Sequence, residues 1–162
     1  MPKDKEEVLK AVDKPASLGP DLEIKDFIRD AKPWYPCPVS SLPEEIANQS
    51  LNVGIRTDEK DRVGTYFQID HSVVFQGIQK AFEGKIELMS TKDALKKYDW
   101  FKDYWWKIIP ADMDKYTALA ELNWDQGYFI RVLEGQKITL PLQSCLFISM
   151  NRLNQNVHNM VI

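Results

Sequence analysis

Residues 111–142 read ADMDKYTALAELNWDQGYFIRVLEGQKITLPL, and the reading of this stretch decides the fold. Asp112 follows Pro110 closely and is placed to cap a short helix by accepting a bond from a free backbone N–H. Tyr116, Leu119 and Ala120 then share one helical face. Gly127 ends an irregular link. Beyond it Tyr128, Ile130 and Val132 alternate with Phe129, Arg131 and Leu133, which is strand spacing. Glu134-Gly135-Gln136 reads as a turn, and Ile138, Leu140 and Leu142 resume the alternation around Pro141, a residue that belongs at a strand end, an edge or a bend.

Working outward, residues 144–162 continue in the same manner. Leu146, Ile148 and Met150 alternate with Cys145, Phe147 and Ser149, and Asn151, Asn154, Asn156 and Asn159 follow. Asparagine suits tight corners, because its side chain bonds nearby backbone and tolerates left-handed conformations.

Upstream, Tyr66 to Asp70 alternates as a strand, and Ser72 reads as the cap of a helix carrying Val74, Ile78 and Phe82. Ile86 and Leu88 mark another strand. Ser90-Thr91-Lys92-Asp93 has the capping-box pattern of a helix start. Asp99 is placed to cap a further helix bearing Trp100, Phe101, Tyr104, Trp105, Trp106, Ile108 and Ile109. Such a helix is apolar around most of its circumference and belongs between layers.

The N-terminal third is more broken. Residues 1–14 carry a weak helical stripe, Val8, Leu9 and Val12, and Asp21 leads a second helical candidate with Ile24, Phe27 and Ile28 on one face. KPWYPCPVSSLP at 32–43 is too proline-rich for regular structure, and its preferred reading is a linker whose Trp34 and Tyr35 fold back onto apolar surface. Pro43, Glu44 and Glu45 open a short helix. The charged run from Arg56 to Arg62 reads as an exposed connection.

Several motifs taken in order carry a resemblance. DKYTAL, then GYFIRVLEG, then KITLPLQSCLFI resembles the SufB/SufD family of iron–sulfur cluster assembly scaffolds, and the likeness runs back through HSVVFQGIQKAFEGKIELMS and forward to NQNVHNMVI, covering roughly residues 43–162. It implies an α+β chain whose N-terminal helical region and short strands lead into the first turns of a right-handed parallel β-helix. The division would be 1–60 helices and proline-rich linker, 61–126 lead-in with the aromatic helix, and 127–162 the start of the β-helix, truncated. The resemblance further implies a non-enzymatic scaffold component of the SUF machinery, or a fragment of one. It would pair with a SufB- or SufD-type subunit and act with a SufC-type ATPase through regions absent here. An iron–sulfur cluster is implied for the full assembly. The family's cluster-linked residues and ATPase-docking helices lie downstream of the aligned part, so no catalytic, cofactor-binding or metal-binding residue is carried over.

The residues agree with that expectation. Hydrophobic residues make up 44% and charged residues 28% of the 162, as in a globular protein, and the net charge of −3 gives no general attraction for nucleic acid or anionic membrane. No apolar run is long enough to span a bilayer and MPKDKEEVLK is unlike a signal peptide, so a cytoplasmic location is expected. Cys37 and Cys145 make no disulfide framework. Cys145, on an expected strand, reads as a small buried apolar residue rather than a cluster ligand, and Cys37 as an exposed thiol without a second cysteine at ligand spacing. Asp70 and His71 are neighbours on an extended chain and point opposite ways, against a catalytic pair. His158 reads as a corner or surface group. Together with the two cysteines these histidines match no zinc or iron–sulfur spacing.

Asp112 and Asp114 are explained as capping residues, and Glu121, Asp125 and Glu134 show no paired arrangement. Lys96 and Lys97 near Trp100 and Trp105 would suit stacking on single-stranded nucleic acid, but the acidic balance and core-like aromatic spacing oppose it. The alternative from another class is a small interaction or ligand-binding module built from the aromatic helix and the Trp34–Tyr35 loop. Burial of Trp100, Trp105 and Trp106 discriminates between the two readings.

Overall fold

Strand β1, Gly64–Ile69, is buried at all of its residues and stands in the middle of a three-stranded sheet. On one side it pairs antiparallel with β2, Ser72–Ile78, through a tight turn in which Asp70 takes a positive φ of 52°. On the other it pairs parallel with β5, Gln143–Phe147. A second sheet sets β4, Tyr128–Val132, between β3, Ile86–Ser90, antiparallel, and the two-residue β6, Met160–Val161, parallel. The structure is a computed structural model and describes residues 5–56, 58 and 60–162. The first four residues of the terminal helix expected over 1–14, and Thr57 and Glu59 of the charged connection, lie outside the described residues.

The chain is therefore a small α+β fold with two mixed three-stranded sheets, and the expected parallel β-helix is not its architecture. The alternation at Tyr128–Val132 does make a strand. Its partners, however, are the upstream β3 and the short β6 rather than a stack of rungs. The second expected strand, Ile138–Leu142, does not form. Residues 134–141 run almost wholly exposed at the surface, and pairing begins only at Gln143, where β5 joins the other sheet beside β1. Pro141 has no N–H to give a ladder, and its carbonyl is used once, by Val63 N–H at 2.8 Å.

Three expected helices are also corrected. Ser72–Ile78 is a strand, because Val73, Val74 and Phe75 are residues that favour a pleated, half-buried surface. The aromatic stretch is a five-residue 3-10 turn, Asp99–Asp103, followed by irregular turns in which Trp106 has a φ of 54°. Aromatic side chains are weak helix formers, and here they close on β4 from several directions instead. The candidate at 21–28 is only a 3-10 turn, Ile24–Asp26, after which Ile28 bridges Leu153.

Four α-helices are described. α1, Lys5–Ala11, packs Val8 and Ala11 against Ala118 of α4, Lys115–Leu122. α2, Glu44–Asn52, opens after Pro43 as its sequence indicates, and Ile46 joins Val39 and Leu42 over Phe67, Ile69, Val74 and Cys145. α3, Thr91–Lys97, begins at Ser90, whose hydroxyl oxygen accepts the Asp93 N–H at 3.1 Å. The cap of α4 is Asp114 and not Asp112. Its carboxylate takes the N–H groups of Tyr116 and Thr117, and Thr117 Oγ1 accepts the Asp114 N–H in return.

Candidate functional site

Phe129 at the centre of β4 is fully buried, and a shell of aromatic rings forms around it. Phe101 lies 4.9 Å from it edge-on, Tyr98 6.1 Å and Trp100 6.2 Å away, and Trp105 stacks outward from Phe101 at 5.8 Å. Such rings bury large area and favour edge-to-face contacts, which is the geometry of a core. Trp105 is only 5% exposed, and Trp100 and Trp106 are half-buried against the same cluster. Burial of Trp100 and Trp105 thus weighs against the aromatic-pocket alternative, whereas Trp106 also faces a groove. Glu121 on α4 fastens two of the rings by accepting Trp105 Nε1–H at 3.0 Å and Trp106 Nε1–H at 2.5 Å.

His158 is not the surface group its asparagine-rich setting suggests. Its imidazole stacks on Trp105 at 4.1 Å and meets Trp106 at 4.2 Å. The ring is largely buried, and that burial pushes its pKa down to about 4, so it is neutral at pH 7. Its Nδ1 is buried without a hydrogen-bond partner among the described residues. Beside it a groove of about 370 Å³ runs along β6, walled by Tyr104, Trp106, Ile109, Met160 and Val161. Ile108, 95% exposed, stands at its rim. No sequence signal distinguishes such a histidine, because the indoles that enclose it lie fifty residues upstream.

A second constellation is a buried polar junction at the β1–β2 turn. Asp70 accepts Trp34 Nε1–H at 3.0 Å, Ser149 N–H at 2.8 Å and Ser149 Oγ–H at 2.7 Å. Trp34 is thereby folded back onto the apolar core as expected, whereas Tyr35, expected to fold back with it, is 81% exposed. Asp125 takes both guanidinium arms of Arg29, at 2.6 and 2.8 Å, together with the Asn156 N–H at 2.8 Å. His71 Nε2 lies 2.8 Å from the Asn154 carbonyl and 3.6 Å from Asp125. Asp70 and His71 therefore serve different partners, as their neighbouring positions indicated. Gln68, fully buried, donates to the carbonyls of Asp70 and Asp125, and the Tyr66 hydroxyl lies 2.9 Å from Gly127 O. Each buried polar group here has the partners that its desolvation demands.

The remaining sequence candidates are dispersed. Cys145 is buried in the core under α2, and burial raises its thiol to about 11, so it is not a thiolate at neutral pH. Cys37 is half-buried rather than exposed, with its N–H on Val74 O at 2.9 Å. Among the described residues no three His, Cys, Asp or Glu side chains converge as metal ligands. Asp114 is spent on its cap and on Ser17. Burial works to raise its pKa, yet bonds from Ser17, Thr117 and Tyr116 hold it at about 2. Lys97 is turned to Glu87 at 3.1 Å and to the Tyr98 ring, not to an open groove. Arg62, expected in an exposed connection, is buried and bonds the Arg56 carbonyl at 3.1 Å. No described helix is long and apolar enough to cross a membrane.

No family model matches the chain. Individual relatives do. An iron–sulfur cluster assembly SufBD family protein of Methanothermobacter thermautotrophicus is 36% identical over 159 residues, 94% of this chain and 38% of the relative. One from Archaeoglobus fulgidus is 44% identical over 110 residues, 68% of this chain and 29% of the relative. The iron–sulfur cluster assembly protein SufB of Bacillus subtilis is 30% identical over 142 residues, 86% of this chain and 30% of the relative. The chain thus spans well under half the length of these curated relatives. Matched across most of its own length at these identities, it belongs to the iron–sulfur cluster assembly SufBD family.

Proposed function

We propose that this chain supplies the N-terminal part of a scaffold for iron–sulfur cluster assembly, as a structural segment without chemistry of its own. The observation that carries the reading is the 36% identity over 94% of the chain to a SufBD-family protein. In this reading the cluster is cargo of the whole assembly and is not held by these residues. Two features support that assignment: the two cysteines are half-buried and buried, and Cys145 is a poor thiolate. The partners are a SufB- or SufD-type subunit and a SufC-type ATPase, the latter engaged through regions outside this chain, and the setting is the cytoplasm. The polar junction of Asp70, Asp125 and Arg29 suits a structural role, since it ties four chain segments together with its donors and acceptors occupied.

Co-purification tests this directly. A full-length SufBD-family protein carrying this segment captures its SufC-type ATPase, and the 162-residue chain alone does not. Anaerobic incubation of the chain with iron and sulfide leaves no stable cluster chromophore. Capture of the ATPase by the isolated chain refutes the placement of that contact outside it. A retained chromophore lost with Cys145→Ser refutes the assignment of the cluster elsewhere.

A further inference from the structure

Between Ala11 and Val39, both buried, no residue of the chain is buried. This long segment crosses the body and is held mainly by polar grips. Lys14 Nζ donates to Asp112 O at 2.5 Å, and Ser17 N–H and Oγ–H reach Asp114 at 3.0 and 2.6 Å. Lys115 pairs with Asp21, while the Tyr116 hydroxyl donates to Pro20 O and accepts the Leu22 N–H, each at 2.8 Å. Farther on, Ile28 exchanges backbone bonds with Arg152 and Asn154, and Arg29 closes on Asp125. Trp34, bonded to Asp70, marks where the segment is fixed again.

Beneath the segment lies a cleft of about 380 Å³ that its side chains do not fill. Leu22, Ile24 and Phe27 form its roof, and Leu119, Leu153 and Val157 are among the residues of its floor. Apolar burial is what normally welds a segment to its body, and regions lacking it open at a fraction of the global unfolding free energy. Mostly exposed polar grips add little to that. The proline and glycine positions Pro15, Gly19, Pro20 and Pro33 leave the segment without helix or strand of its own beyond one 3-10 turn.

We propose that residues 12–33 form a strap that lifts as one unit, with the sheets intact, and that its lifting uncovers the apolar cleft between α4 and the 148–157 segment. The Arg29–Asp125 pair is the clasp, being the best-formed charged contact between strap and body: bidentate, with a carboxylate that is itself buried. Release of the clasp frees the neighbouring Ile28 bridge, and the grips of Tyr116 on Pro20 and Leu22 and of Asp114 on Ser17 let go with it.

Hydrogen exchange read by mass spectrometry tests the strap. Peptides covering 15–29 exchange about a hundred-fold faster than those covering β1 and β4, and together rather than residue by residue. Arg29→Ala raises the strap's exchange a further ten-fold, roughly, and increases the fluorescence of added 8-anilinonaphthalene-1-sulfonate, while protection of β1 and β4 is unchanged. If Arg29→Ala does not fold, Tyr116→Phe, which deletes only the hydroxyl holding Pro20 and Leu22, carries the same test. Strap exchange equal to that of β1, or an effect of either variant spread evenly over both sheets, overturns the proposal. This outcome is independent of ATPase capture, so the strap and the scaffold reading fail separately.

Discussion

The carbonyl oxygen of His158 sits where a side chain on Gly127 would have to go. Gly127 has a φ of 120°, and a Cβ there would also lie 2.7 Å from Asn159 Oδ1. Its own carbonyl accepts the Thr91 N–H at 2.9 Å, and Asn159 Oδ1 accepts the Tyr128 N–H at 3.0 Å. The start of β4 and the approach to β6 are thus locked backbone to backbone.

Gly127→Ala is expected to cost about 2–4 kcal/mol, combining a disfavoured left-handed conformation with overpacking against main chain that cannot swing aside. Urea unfolding followed by tryptophan fluorescence measures it. A loss below about 0.5 kcal/mol would show that the two backbones are not in contact.

His158 gives the fold an acid sensitivity of definite sign. Its folded pKa of about 4 lies below its ordinary value of 6.5, so the unfolded chain binds the extra proton in between. Stability is therefore full above pH 6.5 and falls as pH drops from 6.5 toward 4, by on the order of 2 kcal/mol after allowance for the ring's partial exposure. Denaturation midpoints at pH 7.5, 6, 5 and 4.5 (roughly evenly spaced through the window) should trace this slope. His158→Gln should flatten it, and an unchanged slope in that variant would assign the effect to other groups.

Asp114 both caps α4 and holds Ser17. Asp114→Ala is expected to destabilise the protein by about 2 kcal/mol, the upper range for a lost cap, because the Ser17 grip goes with it. Asp114→Asn should recover part of that. The carboxylate's pKa of about 2 is below the usual 3.8, so its contribution is present above pH 3.8 and disappears as pH falls from there toward 2. Thermal melts of the two variants at pH 7 and of the parent down to about pH 2.5, below the ordinary carboxylate range, check both statements.

Alkylation distinguishes the two thiols. Under native conditions iodoacetamide should modify Cys37 well before Cys145, whose thiol is buried and shifted up to about 11. Peptide mass spectrometry over a time course reads the order. Equal rates would mean that the core under α2 opens as readily as the proline-rich segment.

Elements with a strong local signal were legible from residues alone. Pro43-Glu44-Glu45 does open α2, Ser90 does cap α3, and Tyr128–Val132 is a strand. Where two periodicities overlap, local spacing does not decide the element. Val74, Ile78 and Phe82 are spaced as on a helix, yet the intervening Val73 and Phe75 favour a strand, and pairing with β1 decides it. Partners were less legible than elements, because alternation says that a strand exists and not what lies beside it. The expected β-helix failed for that reason: Tyr128–Val132 chose β3, and 134–141 chose solvent.

The site was the least legible part. That His158 lies between Trp105 and Trp106, and that Arg29 clasps Asp125, are long-range facts with no local spacing to betray them. The SufBD resemblance, by contrast, rested on ordered motifs along the chain and is matched by relatives across it.

Strand β1, wholly buried, cannot have both of its neighbours until Gln143–Phe147 exists, more than a third of the chain later. During synthesis the early hairpin must therefore wait on the ribosome with one bare edge, exposed to wrong pairings in the meantime. Slowed translation before residue 143 would lengthen the interval in which that edge stays open to such pairings.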